Sequence, residues 1–424
     1  MRILLVTDSF PPNCGGSGWS TYELARGLRE RGHAISIVRP RPGHAARDTG
    51  SYDGFDVDEI GTPAPGIPFV RNYFKNERLW RRLEHELIAR IRAHRIEIVH
   101  GQHVLSSVPA IAAGEATHIP SVATVRDYWP LCYWADLILD PDAPGLCPSC
   151  TAGHMTRCVR PHAGALWPLT VPAIPYMRAN LTSKREGLAG ASAVIAVSST
   201  IASDLAARAP ELASTRLERI PNPVDVASIR SMGDGTPRPL AEPYVLYSGK
   251  LEVNKGADLL IPAAVAAHLT HPLVVVGDGK LRNRVATQAQ QAGVDVRMVG
   301  WLPRDEALGW VRHAAALVFP SRGPESLSRV LLEAGALGVP MAAMDTGGTR
   351  DIIQHERTGL LSASAEALGA DLARLLADPA LAGRLGDAAR VHVEQAFDSR
   401  AVIAKVEALY LDLARRRQKD ASRA

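Results

Sequence analysis

A chain of 424 residues is too long for one hydrophobic core and suits two domains of roughly 200 residues each. Its 46% hydrophobic and 22% charged residues are those of an ordinary soluble globular protein. A formal charge of +4 and a pI near 8.8 suit anionic small molecules or an anionic membrane surface, and no basic stripe interleaved with aromatics argues for nucleic acid.

The N-terminal run RILLVT, Arg2–Thr7, reads as a buried strand. It is too brief for a signal peptide and no small-residue cleavage site follows it. No stretch of 18 uninterrupted apolar residues offers a membrane span, so the expected compartment is the cytoplasm. The loop DSFPPNCGGSG follows, and its Gly15, Gly16 and Gly18 let backbone approach a ligand closely. G-x-G-x-x-G is not matched and no acidic residue ends the next strand, which counts against a Rossmann dehydrogenase. Trp19–Arg31 has helical spacing, with Leu24 and Leu28 four apart, and Gly32 stops it. Ala34–Val38, Ile96–His100, Ser121–Val125 and Ala193–Val197 read as further strands. Near-continuous apolar strands alternating with helices imply a parallel sheet covered on both faces.

Two segments of this half are candidates for a membrane surface and a lipid-linked acceptor. Arg71–His94 is a basic amphipathic pattern carrying Phe74, Leu79 and Trp80, and Ala165–Met177 is apolar and Pro-broken. A solvated helix face and a core-packing loop explain them equally well. Between Trp129 and Arg185 the strand–helix rhythm is lost, and the stretch reads as an insertion. It holds Cys132, Cys147, Cys150 and Cys158, and CPSC is a C-x2-C knuckle of the kind that binds structural zinc. His154 is a substitute ligand, Cys14 stands apart, and reduced thiols without metal are the alternative.

The segment IPNPVDVASIRSMGDGTPRPLAEP is a linker, after which the grammar restarts. Tyr244–Ser248, Pro272–Val276, Val294–Val299, Ala315–Pro320 and Val339–Ala343 are expected strands, with helices over Lys280–Gln291 and Arg304–His313. The organisation is therefore residues 1–222, residues 223–398, and a helix with basic tail over 399–424 placed to return to the first domain. Two doubly wound α/β domains face each other across a cleft that would hold the ligand.

In the second domain YSGKLEVNKG puts Lys250 and Lys255 on one loop before a helix, an arrangement suited to a diphosphate. It is not a Walker loop. In SRGPESLSRVLLEAGALGVP, Glu325 is placed at a helix mouth and Glu333 about two turns inside the helix. Free N–H groups of Ser326, Leu327 and Ser328 are expected at the same mouth. Two carboxylates so spaced can accept hydroxyl hydrogen bonds from the hexose and the ribose of a nucleotide sugar.

With these stretches in view, the chain resembles the retaining GT-B glycosyltransferases of family 4. The resemblance rests on the two glutamates separated by seven residues, on GKLEVNKG, CGGSG, IPNPVD, VGDGK, GWLPRDE and GGTRD, in family order over nearly the whole chain. It implies a GT-B fold and transfer of a hexose from a nucleoside-diphosphate sugar to a hydroxyl acceptor with retention, in cell-envelope polysaccharide or glycolipid synthesis. It implies that Glu325 contacts the donor hexose and Glu333 the ribose. Lys250 and Lys255 would offset the diphosphate charge, and Gly15 and Gly16 would approach the diphosphate. Val330 would pack near the nucleoside, and Ser326, Leu327 and Ser328, in place of the family's G-F-G, would offer backbone. It implies no catalytic metal. One departure stands out: TVRD carries Arg126 where the family has His, followed by the expected Asp127. Arginine is no base at neutral pH. A nucleotide-sugar epimerase or hydrolase of the same fold, or a binding protein without turnover, are the alternatives.

Overall fold

The computed structural model describes residues 1–43, 47–66, 70–140 and 146–421. They form two compact units. The first contains Met1–Ala135, Ser149–Pro223 and Ser399–Ala424, and the second contains Asp136–Pro148 and Val224–Asp398.

The first unit is built on an eight-stranded sheet. Its strands are β1 (Arg2–Val6), β2 (Ala34–Pro42), β3 (Arg47–Tyr52), β4 (Phe55–Thr62), β5 (Ile98–Gly101), β6 (Ser121–Val125), β7 (Ala193–Ala196) and β8 (Leu217–Arg219). The order is β3-β4-β2-β1-β5-β6-β7-β8, parallel except for the β3–β4 pair. The unbroken apolar run of β1 has a simple cause. Ile3 and Leu5 enter the core on one face of the sheet, and Leu4 and Val6 enter the core on the other. Helix α1 (Gly16–Glu30) leaves the loop after β1, and helix α2 (Val104–Ala116) leaves the loop after β5.

The C-terminal helix, Ser399–Ala421, packs in this first unit. Val402, Ile403, Val406, Leu409, Tyr410 and Leu413 join the same core as Ile3 and Leu28. Glu407 pairs with Arg31 at 2.5 Å and His33 at 2.8 Å. Deeper in, His100 is fully buried between the Tyr410 hydroxyl, 2.5 Å from Nδ1, and Thr124 Oγ1, 2.7 Å from Nε2. Tyr410→Phe should therefore cost about 1–3 kcal/mol by leaving Nδ1 unmet. A melting temperature equal to wild type would show that this bond does not secure the helix.

The second unit carries a six-stranded, all-parallel sheet. Its strands are β9 (Val245–Ser248), β10 (Leu273–Val276), β11 (Val296–Gly300), β12 (Ala316–Phe319), β13 (Met341–Met344) and β14 (Leu360–Ser362), in the order β11-β10-β9-β12-β13-β14. Helix α3 (Arg329–Ala336) follows β12 and buries Leu331, Leu332, Ala334 and Ala336.

Four expectations are corrected. Strands β3, β4, β8 and β14 lie outside the expected set, because RDTGSY and LER carry no apolar run, FDVDEIGT alternates polar and apolar residues, and LLS is only three residues long. The stretch expected to lose its rhythm contains helices over Ala152–Ala163 and Ile174–Ala189 joined by 3-10 turns, and its residues Asp136–Pro148 group with the second unit. Leu79 and Trp80, read as candidates for a membrane surface or a solvated helix face, are buried, because the Leu79–His94 helix turns that stripe to the core with Leu83 and Leu87. Leu169, by contrast, is 76% exposed. Finally, α3 begins at Arg329 rather than near Ser326. Among the described residues, no helix is long and apolar enough to cross a membrane.

Candidate active site

In the second unit the carboxyl ends of β9 and β12 bring two loops together. The β9 loop runs through Gly249 and Lys250 into a single 3-10 turn, Val253–Lys255. The β12 loop runs from Pro320 to Ser328. They are stitched at Asn254, whose carbonyl accepts Gly323 N–H at 2.8 Å and the Ser321 hydroxyl at 3.1 Å. Arg322 adds an ion pair to the buried Asp258. This stitching places Lys255 Nζ 2.6 Å from Glu325 Oε1, which also accepts the Ser321 hydroxyl at 2.6 Å. The Glu325 carbonyl accepts Gly348 N–H at 2.6 Å, so backbone and side chain are both held. Glu325 is 8% exposed and Ser321 fully buried, whereas the Lys255 side chain is 36% exposed. A carboxylate is thus buried against an ammonium whose other side remains accessible. Lys250 is exposed on the same loop, and its carbonyl accepts the Tyr247 hydroxyl at 2.7 Å.

The late start of α3 changes the geometry around the second acid. Ser326 and Leu327 lie in the loop and Ser328 is the N-cap, so the open N–H groups of the first turn belong to Arg329, Val330 and Leu331. The cause is the anchoring of Glu325, whose carbonyl accepts Gly348 N–H and so is not free to accept the first bond of a helix begun at Ser326. Glu333 is therefore only about one turn inside the helix, roughly 6 Å along its axis. Arg329, one turn earlier, donates to Glu333 Oε1 at 3.0 Å, and Arg304 Nε lies 3.6 Å from the same oxygen. Sequence reading missed both arginines. The i,i+4 spacing of Arg329 and Glu333 was a signal for one of them, and the stretch GWLPRDE, which contains Arg304, was a signal for the other.

In the first unit, Gly15 is the N-cap of α1 and Gly16 its first residue. A Cβ on Gly15 would meet nothing within 4 Å, so the fold itself does not require that glycine. Arg126 and Asp127 follow β6. Arg126 is 7% exposed and committed internally, donating through Nε to Asn222 Oδ1 at 2.8 Å and through a terminal nitrogen to the Gln102 carbonyl at 2.9 Å. Burial lowers its pKa to about 9. Asp127 accepts Trp129 N–H at 2.9 Å, and burial raises its carboxyl above the usual range. Lys184, on the Ile174–Ala189 helix, is 4% exposed and lies 5.5 Å from the Tyr133 ring centre, and burial lowers it to about 8.

None of the five cysteines is in a disulfide, and among the described residues no three His, Cys, Asp or Glu side chains are grouped to hold a metal ion. Cys147 belongs to the second unit, while Cys132, Cys150 and Cys158 belong to the first.

Comparison with known proteins bears on the family and the fold. The model of Glycosyltransferase Family 4 matches residues 14–228, and that of Glycosyl transferases group 1 matches residues 233–392. The chain is 26% identical over 434 residues to a glycogen synthase of Mycobacterium tuberculosis, spanning 97% of this chain and 94% of that one. It is 27% identical over 379 residues to a GDP-mannose-dependent alpha-mannosyltransferase of Mycolicibacterium smegmatis, spanning 85% and 84%. Among solved structures, the sucrose-phosphate synthase of Thermosynechococcus elongatus superposes with a TM-score of 0.70 at 20% identity, covering 97% of this chain and 98% of that one. The Anabaena protein HepE in complex with UDP superposes with a TM-score of 0.64 at 18% identity, covering 97% and 100%. These likenesses establish the GT-B fold.

Proposed function

The chain belongs to glycosyltransferase family 4, and from that premise we propose that it moves a hexose from a nucleoside-diphosphate sugar to a hydroxyl acceptor with retention of configuration. The observation that carries the proposal is the buried Glu325, clamped by Lys255 and Ser321 beside the exposed Lys250. Breaking the sugar–phosphate bond leaves negative charge on the diphosphate. Lys250, Lys255 and the open N–H groups at the start of α3 supply fixed positive charge for it. No divalent ion is part of the proposal, because these groups carry the charge that is needed.

Glu325 accepts hydrogen bonds from hexose hydroxyls and Glu333 from the ribose, with Val330 beside the nucleoside. Glu325 is not the nucleophile. The acceptor hydroxyl bonds to the anomeric carbon on the face from which the diphosphate departs. Arg126 is assigned a positioning role, since both of its mapped bonds end inside its own unit. The relatives named for glycogen synthesis and mannosyl transfer support a glycan or glycolipid acceptor.

A thermal-shift panel of nucleoside-diphosphate sugars tests the donor assignment. A donor present at a hundredfold over its Kd adds about 2.7 kcal/mol to stability. If no member of the panel raises the melting temperature, the donor reading fails. Glu333→Ala should weaken nucleotide binding about tenfold, the equivalent of one lost charged hydrogen bond. Unchanged affinity would remove Glu333 from the site.

A further inference from the structure

The first unit holds a second group of polar atoms, at the carboxyl ends of β1 and β5, which pair side by side. Asp8 follows β1, and Gln102 and His103 follow β5. Asp8 N–H donates to His103 Nδ1 at 3.3 Å, which makes Nδ1 an acceptor and leaves the ring proton on Nε2. The Thr7 hydroxyl, also 3.3 Å from Nδ1, has the Ser9 carbonyl as its nearer acceptor at 2.8 Å. Burial, and then the charge of Arg126, hold His103 well below the usual histidine pKa, so the ring is neutral. His103 is 8% exposed, and among the described residues its Nε2 has no hydrogen-bond partner. Asp8 Oδ2 accepts Leu105 N–H at 3.1 Å, while its buried Oδ1 has no partner among the described residues. Gln102 is fully buried with both side-chain amide atoms unpartnered among the described residues. Donors and acceptors buried in this way call for partners.

We propose that Asp8 Oδ1 and His103 Nε2 form a hydroxyl-binding pair, with the Gln102 amide beside it, for a neutral polyol. The ligand class rests on the proposed glycosyl transfer and on local chemistry. A hydroxyl both donates and accepts, so it matches a carboxylate oxygen set beside an N–H. Charged ligands fit worse. An anion would meet Asp8 and, from the loop after β6, Asp127. A cation would meet Arg126 from that same loop and the Nε2 proton. Burial, reinforced by Asp127, pushes the Asp8 carboxyl up to about 7, so only part of its full negative charge is present at neutral pH. Ser106 and Leu105 of α2 face Asp8 from the remaining side and carry no charge. The polyol is the glycosyl acceptor.

Two conservative variants separate recognition from folding. Asp8→Asn keeps an oxygen for Leu105 N–H and turns the other carboxylate oxygen into a donor. His103→Asn keeps an acceptor near the Asp8 N–H and removes the Nε2 proton. The probes are maltose and myo-inositol as polyols and UDP-glucose and GDP-mannose as donors, all used with the full chain. In saturation-transfer NMR, polyol affinity should fall about tenfold in each variant, with melting temperature and UDP or GDP affinity unchanged. In turnover, the KM rise should be confined to the polyol, and a rise confined to the donor overturns the assignment. Variants that fold as wild type and keep polyol affinity and both KM values within twofold overturn the proposal. If Asp8→Asn does not fold, His103→Asn decides alone. Should the wild-type chain bind polyol but no nucleotide, the glycosyl-transfer reading fails while the pair stands.

Discussion

Glu325→Gln should lower the rate of glycosyl transfer by about 10²–10³-fold, the scale expected when one preorganised electrostatic contact to the reacting group is removed. The substitution keeps the volume of the side chain and removes its charge. It therefore releases Lys255, held at 2.6 Å, and replaces one acceptor oxygen by a donor facing the hexose. The fall should appear mainly in kcat, because the lysine charge acts on a leaving group that becomes fully anionic only as the bond breaks. Stability should change little, by about 1 kcal/mol, since the ammonium side of the pair is partly solvated. Stopped assays of sugar transfer, together with a melting curve, measure both quantities. A rate within threefold of wild type would remove Glu325 from the chemistry.

Gly256→Ala should destabilise the second unit by about 3 kcal/mol or more and abolish transfer. Gly256 has φ +66°, and a Cβ there would lie 1.8 Å from the Pro320 carbonyl oxygen and 2.5 Å from its carbon. Both atoms are backbone at the end of β12, so relief requires moving the loop that carries Ser321 and Glu325 away from Lys255. Gly293 is the control. It has φ +68°, and a Cβ there would meet nothing within 4 Å. Gly293→Ala therefore carries only the left-handed backbone cost, about 1–2 kcal/mol. Denaturant melts of the two variants isolate the clash, and equal losses would show that the close approach to Pro320 is not what requires glycine.

Much of this protein could be read from its residues because the relevant physics is local. Apolar strands such as RILLVT and YVLYS declare a sheet covered on both faces, and the turns between them place the loops at the carboxyl ends of the strands. The two-unit organisation, the return of the last helix to the first unit, and the site stretches GKLEVNKG and SRGPESLSRVLLEAGAL come from periodicity and motif order. What the sequence could not reveal depends on partners distant along the chain. The ion pair of Lys255 with Glu325 joins residues 70 apart, and the bond of Arg126 to Asn222 joins residues 96 apart. The start of α3 moved to Arg329 because Gly348, far beyond it, anchors the Glu325 carbonyl. Sequence by itself thus determined the two-unit α/β grammar and most of its apolar strands, and nominated the residues of the candidate site. Only the tertiary structure decided which charges meet and which polar atoms are left unmet, because both depend on long-range packing that no local pattern records.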